Sequence, residues 1–362
     1  MEQEIKLLII NPGSTSTKIS IFENGVERYK KSLSHPASEV ARYARAADQA
    51  PFRQKAVEEF LAEIDYDLSG LTAIVARGGS LPPIHTGAYV VNDEMIDVLR
   101  NRPIGQHAST TAAIIALDMA KRLHIPVYIY DGNTADEMEP VSRISGCPLV
   151  PRLSMGHILN TKAVGRMYAQ RLGRKYEELN LIMVHLGGGI SIGLHKRGVI
   201  ADIMTDEEGT FSPERAGGLP SIGWARVCCS GEYTFEELSA MVRGKGGLTA
   251  YLGTNDVREV EAKVRAGDKK AALIYEAMIY QTAKCIGGLA AADGEIDGVV
   301  LTGGIANSEL LVEKLRRKVR FIAPVAVIPG EFEMEALAAG ITRVLKGEEK
   351  ARVYREHEEE GA

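Results

Sequence analysis

Two stretches of this chain carry the same alternation of apolar and polar positions. The apolar run Leu7-Leu8-Ile9-Ile10 enters Asn11-Pro12-Gly13-Ser14-Thr15-Ser16-Thr17-Lys18. Ile19-Ser20-Ile21-Phe22 and the turn residues Glu23-Asn24-Gly25 follow. Leu181-Ile182-Met183-Val184 likewise enters His185-Leu186-Gly187-Gly188-Gly189-Ile190-Ser191. Ile192-Gly193-Leu194-His195 and Lys196-Arg197-Gly198 come next. Each copy reads as strand, tight Gly/Ser turn, strand, Gly turn, strand. Asn11 and His185 stand 174 positions apart in a chain of 362 residues. A pattern repeated at half the chain length predicts a duplicated domain with one such hairpin in each half. Glycines admit close approach of peptide N–H groups to an anion, and the serine and threonine hydroxyls add donors. Two such turns facing each other would hold a polyphosphate. The plainer alternative is a pair of ordinary hairpins, and the half-chain spacing weighs against it.

Between and after these hairpins, strand and helix patterns alternate, which predicts an α/β fold. Helical spacing runs from Ser38 to Ile64, interrupted at Pro51, and again over 106–123, 157–172, 269–292 and 333–345. Residues 71–76, 125–130 and 299–302 read as buried strands that end at Arg77-Gly78-Gly79, Asp131 and Gly303-Gly304. Thr234-Phe235-Glu236-Glu237 has the form of a capping box, and Asn307 is expected to open a helix. The charged tail from Lys346 to Ala362 is expected to be solvated. No low-complexity linker separates the halves, so the boundary is placed near residue 150.

Composition narrows the function classes. The chain is of ordinary globular composition, and a net charge of −5 argues against nucleic acid or an anionic membrane as the main partner. The first residues carry no basic segment, and no apolar run reaches the roughly 20 residues of a membrane span. Four cysteines without a Cys-x-x-Cys pair suit a reducing cytoplasm better than a disulfide framework or a zinc ribbon. Cys228 and Cys229 are expected to be buried. The P-loop signature is missing, and Gly187-Gly188-Gly189-Ile190-Ser191-Ile192 fails the dinucleotide fingerprint at its last position.

What remains is a set of glycine turns and ionic residues at strand ends, and this set resembles the acetate kinase and butyrate kinase family of the actin, sugar kinase and Hsp70 superfamily. The resemblance covers nearly the whole chain. Asn11-x-Gly13-Ser14-x-Ser16-x-Lys18 is similar to the family's first phosphate motif, and His185-Leu186-Gly187-Gly188-Gly189-x-Ser191 to its second. Glu208-Gly209 followed by Arg215 has the spacing of the arginine at the transferring phosphoryl group. Leu301-Thr302-Gly303-Gly304-Ile305-Ala306-Asn307-Ser308 resembles the adenosine motif. The resemblance implies a duplicated actin-like (ribonuclease H-like) fold with nucleotide in a central cleft. It implies domains at 1–150 and 151–336, with a C-terminal helix 337–362 joining the first. It also implies ATP/ADP and Mg2+ as cofactors, and at least a homodimer.

For particular residues the resemblance implies that Asp131 orients substrate and metal and that Glu335 accompanies the magnesium. Asn11 would lie near the transferred phosphoryl, Arg77 at the substrate, and Arg215 on the charge in transfer. His157 corresponds to a histidine of the family's Phe-His-Gly segment, here written Met155-Gly156-His157. Arg77 runs directly into Gly78-Gly79, where acetate kinases place Val-Val-His. Together with Ser142-Arg143-Ile144-Ser145-Gly146-Cys147-Pro148, these departures favour butyrate and branched-chain acid kinases. Elementary chemistry agrees: a carboxylate meeting a polyanionic nucleotide needs cations, and arginine forks, a metal and hard oxygen ligands supply them. Two alternatives stand beside this reading. One is an acetate or propionate kinase with the same machinery. The other is a non-catalytic actin-like or chaperone-like ATP-binding module, which would have no need of Arg77 and Arg215.

Overall fold

The computed structural model describes residues 4–355. In chain order the strands are β1 (Lys6–Pro12), β2 (Ser16–Glu23), β3 (Val26–Ser34), β4 (Ala73–Ala76), β5 (Ala88–Val90), β6 (Val127–Tyr130), β7 (Asn180–Leu186), β8 (Ile190–Lys196), β9 (Val199–Met204), β10 (Gly298–Thr302), β11 (Val325–Val327) and β12 (Arg352–Val353). The chain divides into two units, Met1–Asp136 with Phe332–Ala362, and Glu137–Glu331.

The sheet of the first unit runs β12-β5-β6-β4-β1-β2-β3, and that of the second β11-β10-β7-β8-β9. The duplication predicted from the two hairpins is present strand for strand. β1, β2 and β3 form an antiparallel meander, and β4 and then β6 add in parallel beside β1. β7, β8 and β9 repeat the meander, with β10 and then β11 added in parallel beside β7. Both meanders close on two-residue turns with positive φ at each position, Asn24 (50°) with Gly25 (80°), and Arg197 (48°) with Gly198 (87°). That is the turn whose twist matches paired antiparallel strands.

Each sheet is buried by alternation. Leu8 and Ile10 of β1 join a core with residues from the helices Ala50–Glu63 and Thr110–Leu123, and Leu7 and Ile9, pointing to the other face, are equally buried. In the second unit Ile182 and Val184 of β7 pack with the helices Lys269–Asp293 and Glu309–Val319. Leu181 and Met183 point to the opposite face, where the helix Ile158–Arg171 packs against β7 and β10.

Several expectations are revised. The first unit ends at Asp136, inside the expected 1–150. The Asp136 N–H donates to Ile84 O, but the Glu137 carboxylate already accepts from Lys162 and from the Ile200 N–H of the second unit. Pro51 sits in the first turn of the helix Ala50–Glu63, where its missing N–H costs nothing, so it starts a helix. Ser308, not Asn307, caps the helix Glu309–Val319. The last helix, Glu333–Leu345, ends well short of the expected 337–362, whose residues 356–362 lie outside the described ones. The tail is not wholly solvated. Arg352–Val353 pairs with β5, Tyr354 is buried, and its carbonyl accepts from Asn92. Cys228 and Cys229 are exposed, because the helix Ser221–Cys228 buries none of its residues.

Candidate active site

In the first unit, three parallel strands end on three polar residues. Asn11 is the last residue but one of β1, Arg77 follows β4 and Asp131 follows β6, and all three are buried. This is the carboxyl edge of the sheet, where open α/β sheets bind their ligands. The Arg77 N–H donates to Ile10 O, extending the β1/β4 pairing into the site. Its guanidinium donates to the Asp131 carbonyl at 3.0 Å. Asp131 holds a left-handed φ of 43°, and its Oδ1 accepts the Gly87 N–H at 2.8 Å. A non-glycine residue in that region is strained, and two hydrogen bonds between Asp131 and Gly87 hold it there.

The fourth member is Glu333, the first residue of the last helix. Its carboxylate accepts from Asn11 Nδ2 at 2.8 Å and lies 3.5 Å from Arg77 Nη2. Glu335, the residue singled out in the sequence, is not part of this group. It lies 3.7 Å from Lys30 on a half-exposed side of the helix. Two helical steps turn a side chain by about 200°, so two glutamates at that spacing face opposite ways.

The turn after β1 is closed by the Gly13 N–H donating to Ser16 O at 2.8 Å. Ser14 is exposed, and Lys18 stands across the hairpin from Asn11. Sequence reasoning passed over a residue beneath this turn. Arg53, fully buried, donates to Ser14 O, Ser16 O and Thr17 Oγ1.

In the second unit, the equivalent strand β7 carries buried His185 one residue before its end. The His157 ring stacks on it, with centroids 3.7 Å apart and planes within 4°. Asn160 Nδ2 lies 3.1 Å from His185 Nδ1, and His157 Nδ1 lies 2.9 Å from the Ser191 hydroxyl. Burial, and then the neighbouring His157, hold the His185 pKa well below the usual imidazole range. His185 is therefore neutral at pH 7.

The turn Gly187-Gly188-Gly189 is wrapped by acids. A Cβ on Gly188 would lie 2.9 Å from a Glu214 carboxylate oxygen, and one on Gly189 would lie 2.6 Å from Asp206 Oδ2. Those two carboxylates hold Arg215, whose Nε donates to Asp206 at 2.9 Å and whose Nη1 lies 3.5 Å from Glu214. Arg243 binds the other Asp206 oxygen at 3.1 Å. Arg215 is thus fixed beside the glycine turn through its own counter-ions.

Gly303 ties this turn to the motif after β10. It exchanges two backbone hydrogen bonds of 3.1 Å with Gly330 and has a φ of 88°. A Cβ there would come within 2.3 Å of Leu186 O, so only glycine lets the two strand ends meet. The result is a cleft of about 890 Å³ lined by Gly188, Asn255, Arg258, Gly304, Ile305 and Asn307. It has the size of a small-molecule site. Residues from two separate sequence motifs therefore share one cleft.

Three comparisons with known proteins bear on this chain. The Acetokinase family is matched over residues 156–327, all of them in the second unit. The chain is 48% identical to butyrate kinase 1 of Clostridium acetobutylicum over 353 residues, covering 97% of this chain and 99% of that one. It is 45% identical to butyrate kinase 2 of the same organism over 355 residues, covering 97% and 100%. The crystal structure of Porphyromonas gingivalis acetate kinase aligns with a TM-score of 0.78 at 20% identity, covering 94% of this chain and 100% of that one. This last likeness is one of fold.

Proposed function

Because this chain belongs to the acetokinase family, we propose that it transfers the γ-phosphoryl group of ATP reversibly to a short-chain carboxylate, butyrate or a branched analogue, giving the acyl phosphate and ADP. The observation that carries the reading is 48% identity with a butyrate kinase across nearly the whole of both chains. The polar groups of both units are what such a transfer requires. The cleft beside Gly304, Ile305 and Asn307 takes the adenosine, and the turn at 187–189 in the second unit and the turn at 13–18 in the first are each suited to a phosphoryl group. Arg77 binds the acid's carboxylate, with Asp131 and Asn11 fixing the guanidinium directly and through Glu333. One carboxylate oxygen then attacks the γ-phosphorus while its bond to the β,γ-bridging oxygen breaks. The nucleophile is already ionised, so no strong general base is needed, and catalysis rests on positioning and electrostatics. Arg215 neutralises charge on the group in flight. His157, its ring fixed by Ser191 and by the stack on His185, is a second polar side chain of that unit available to a phosphoryl group.

The donor set suits magnesium. Among the described residues no three acidic, histidine or cysteine side chains gather to hold a metal alone. Magnesium on a nucleotide asks for only one or two carboxylates, the phosphates and water completing its shell. Asp131 and Glu333 are hard oxygen donors on either side of Arg77 and would hold it, and the ion would neutralise phosphate charge. Glu333→Gln is therefore expected to lower turnover on the order of 100-fold and to raise the magnesium concentration needed for half-maximal rate. Glu335→Gln is expected to stay within about threefold of wild type, as a half-exposed surface pair contributes little. Equal losses in the two variants would return the metal to Glu335.

The experiment that tests the activity mixes protein, ATP, magnesium and acid with hydroxylamine and measures acyl hydroxamate. Run from acetate to butyrate, kcat/KM is expected to rise about tenfold. Each buried CH2 contributes roughly 0.8 kcal/mol, and about 1.4 kcal/mol is tenfold. Isobutyrate should remain a good substrate, since discrimination by methylenes is modest. Acetate as the best acid would favour the acetate kinase alternative, and no hydroxamate with any acid would favour the non-catalytic one.

A homo-oligomer is part of the reading. The helices Ser221–Cys228 and Phe235–Val242 bury none of their residues and leave Ile222 and Phe235 uncovered, a surface of the kind that subunits cover. Placement in the cytoplasm is supported by four free cysteines, and no helix among the described residues is long and apolar enough to cross a membrane.

A further inference from the structure

Arg53 occupies a core position. On the helix Ala50–Glu63 the buried residues are Ala50, Arg53, Val57, Phe60 and Leu61, the stripe an amphipathic helix turns inward. An arginine on such a stripe is normally paired with an acid. Among the described residues no carboxylate pairs with this one. Its hydrogen bonds all go to neutral oxygens: Nε to Gln49 at 3.0 Å, Nη1 to Ser16 O at 2.8 Å and to Thr17 Oγ1 at 3.1 Å, Nη2 to Ser14 O at 3.0 Å. The neighbouring His35 lies 2.8 Å from the same Thr17 hydroxyl. Burial and the charge of Arg53 keep His35 below the usual imidazole range, so it adds no second cation at neutral pH.

Two consequences follow for the turn above. A trans peptide sets its C=O and the next N–H in opposite directions. Drawing the Ser14 carbonyl onto the guanidinium therefore aims the Thr15 N–H away from Arg53. The buried positive charge, poorly screened by water, also acts through the turn on whatever sits over it.

We propose that Arg53 is the positioning residue of the first phosphate turn, presenting the Thr15 N–H outward and leaving a buried cation whose counter-charge is the phosphoryl group of the ligand. This rests on the reading above that the turn at 13–18 takes a phosphoryl group. That group comes from the nucleotide or from the acyl phosphate.

The test uses the full-length protein with Arg53→Met, which removes the charge at similar length, and Arg53→Lys, which keeps the charge without the fork. Dissociation constants for ATP, ADP and adenosine are measured by calorimetry, and KM and kcat for ATP and for butyryl phosphate by the hydroxamate and reverse assays. In Arg53→Met, phosphoryl ligands are expected to weaken about 10- to 100-fold while adenosine binds as in wild type. Arg53→Lys is expected to recover part of that loss. A larger change for ATP than for butyryl phosphate assigns the turn to the nucleotide, and the reverse assigns it to the acyl phosphate. If Arg53→Met does not fold, a severalfold loss of ATP with unchanged adenosine in Arg53→Lys supports the proposal. ATP binding within threefold of wild type in the variants overturns it. So does a parallel loss of adenosine, which marks general disruption, and so does a lysine variant no better than methionine. Absence of hydroxamate from the wild type would instead overturn the kinase reading, leaving the two failures distinct.

Discussion

Arg215→Ala is expected to lower kcat on the order of 10³-fold, the scale of arginines that act on a phosphoryl group in flight, while the KM for ATP changes by less than about tenfold. Arg215 is held before substrate arrives. Its Nε is fixed on Asp206 and its Nη1 lies near Glu214, whose carboxylates press against Gly189 and Gly188. The loop beneath is equally fixed, with the Ser212 N–H donating to Arg215 O and the Ala216 N–H to Val242 O. A charge set in place at no further cost is the arrangement that stabilises a transition state more than a ground state. The alanine variant also leaves Glu214 without a counter-ion beside the phosphate turn, while Arg243 still neutralises Asp206. That added negative charge opposes the polyphosphate in flight. Arg215→Lys should recover only part of the loss, because one ammonium cannot make the arginine's planar fork. Initial rates in the hydroxamate assay decide it. An unchanged kcat with a raised KM would make Arg215 a ground-state contact.

What the sequence revealed was local in origin. The paired hairpins are legible because an apolar run, a glycine turn and a second run are contiguous; the short strand Val325–Val327 beside β10 carried no such signal. The glycines at 187–189 and 303–304 were visible for the same reason. That Gly188 and Gly304 share one cleft follows from strands more than a hundred residues apart. Glu335 shows where reading stops. The glutamates of a helix start are visible, but which one turns toward Asn11 and Arg77 depends on how that helix packs on its sheet. Tyr354 was lost in a charged tail because its burial comes from β5 and Asn92. Cys228 and Cys229 were misjudged on composition, since the helices 221–228 and 235–242 are apolar yet uncovered. Arg53 did leave a signal: it interrupts the spacing Ala50, Val57, Phe60 that marks the inner face of its helix. A charged residue at such a position deserves a question about its partner, and here the partner is the turn thirty-nine residues earlier.

Stability is expected to fall steeply as pH drops from 7 towards 5, before most carboxylates titrate. Three histidines are buried with lowered pKa. His185 is shifted by burial and by His157, and His195 by burial and by Lys162 and Arg166, both well below 6.5. His35 is lowered by burial and by Arg53. His195 sits 2.6 Å from the Tyr176 hydroxyl, and a proton on it would add a third positive charge to those of Lys162 and Arg166. Each pKa is lower folded than unfolded, so above pH 6.5 the ring is neutral in both states and stability does not depend on it. Below 6.5 the unfolded chain takes up the proton first and is favoured, until the folded pKa is reached. Each such group contributes a slope of up to about 1.4 kcal/mol per pH unit, and three together up to about 4. Set against a folding free energy of roughly 5–15 kcal/mol, that slope removes a substantial part of the stability by pH 5. Urea melts at pH 7, 6 and 5 measure the slope. His195→Gln, which cannot be protonated, should reduce it by about a third in the variant that still folds. A midpoint that stays level from pH 7 to 5 would mean that these rings gain their protons in the folded state as readily as in the unfolded one.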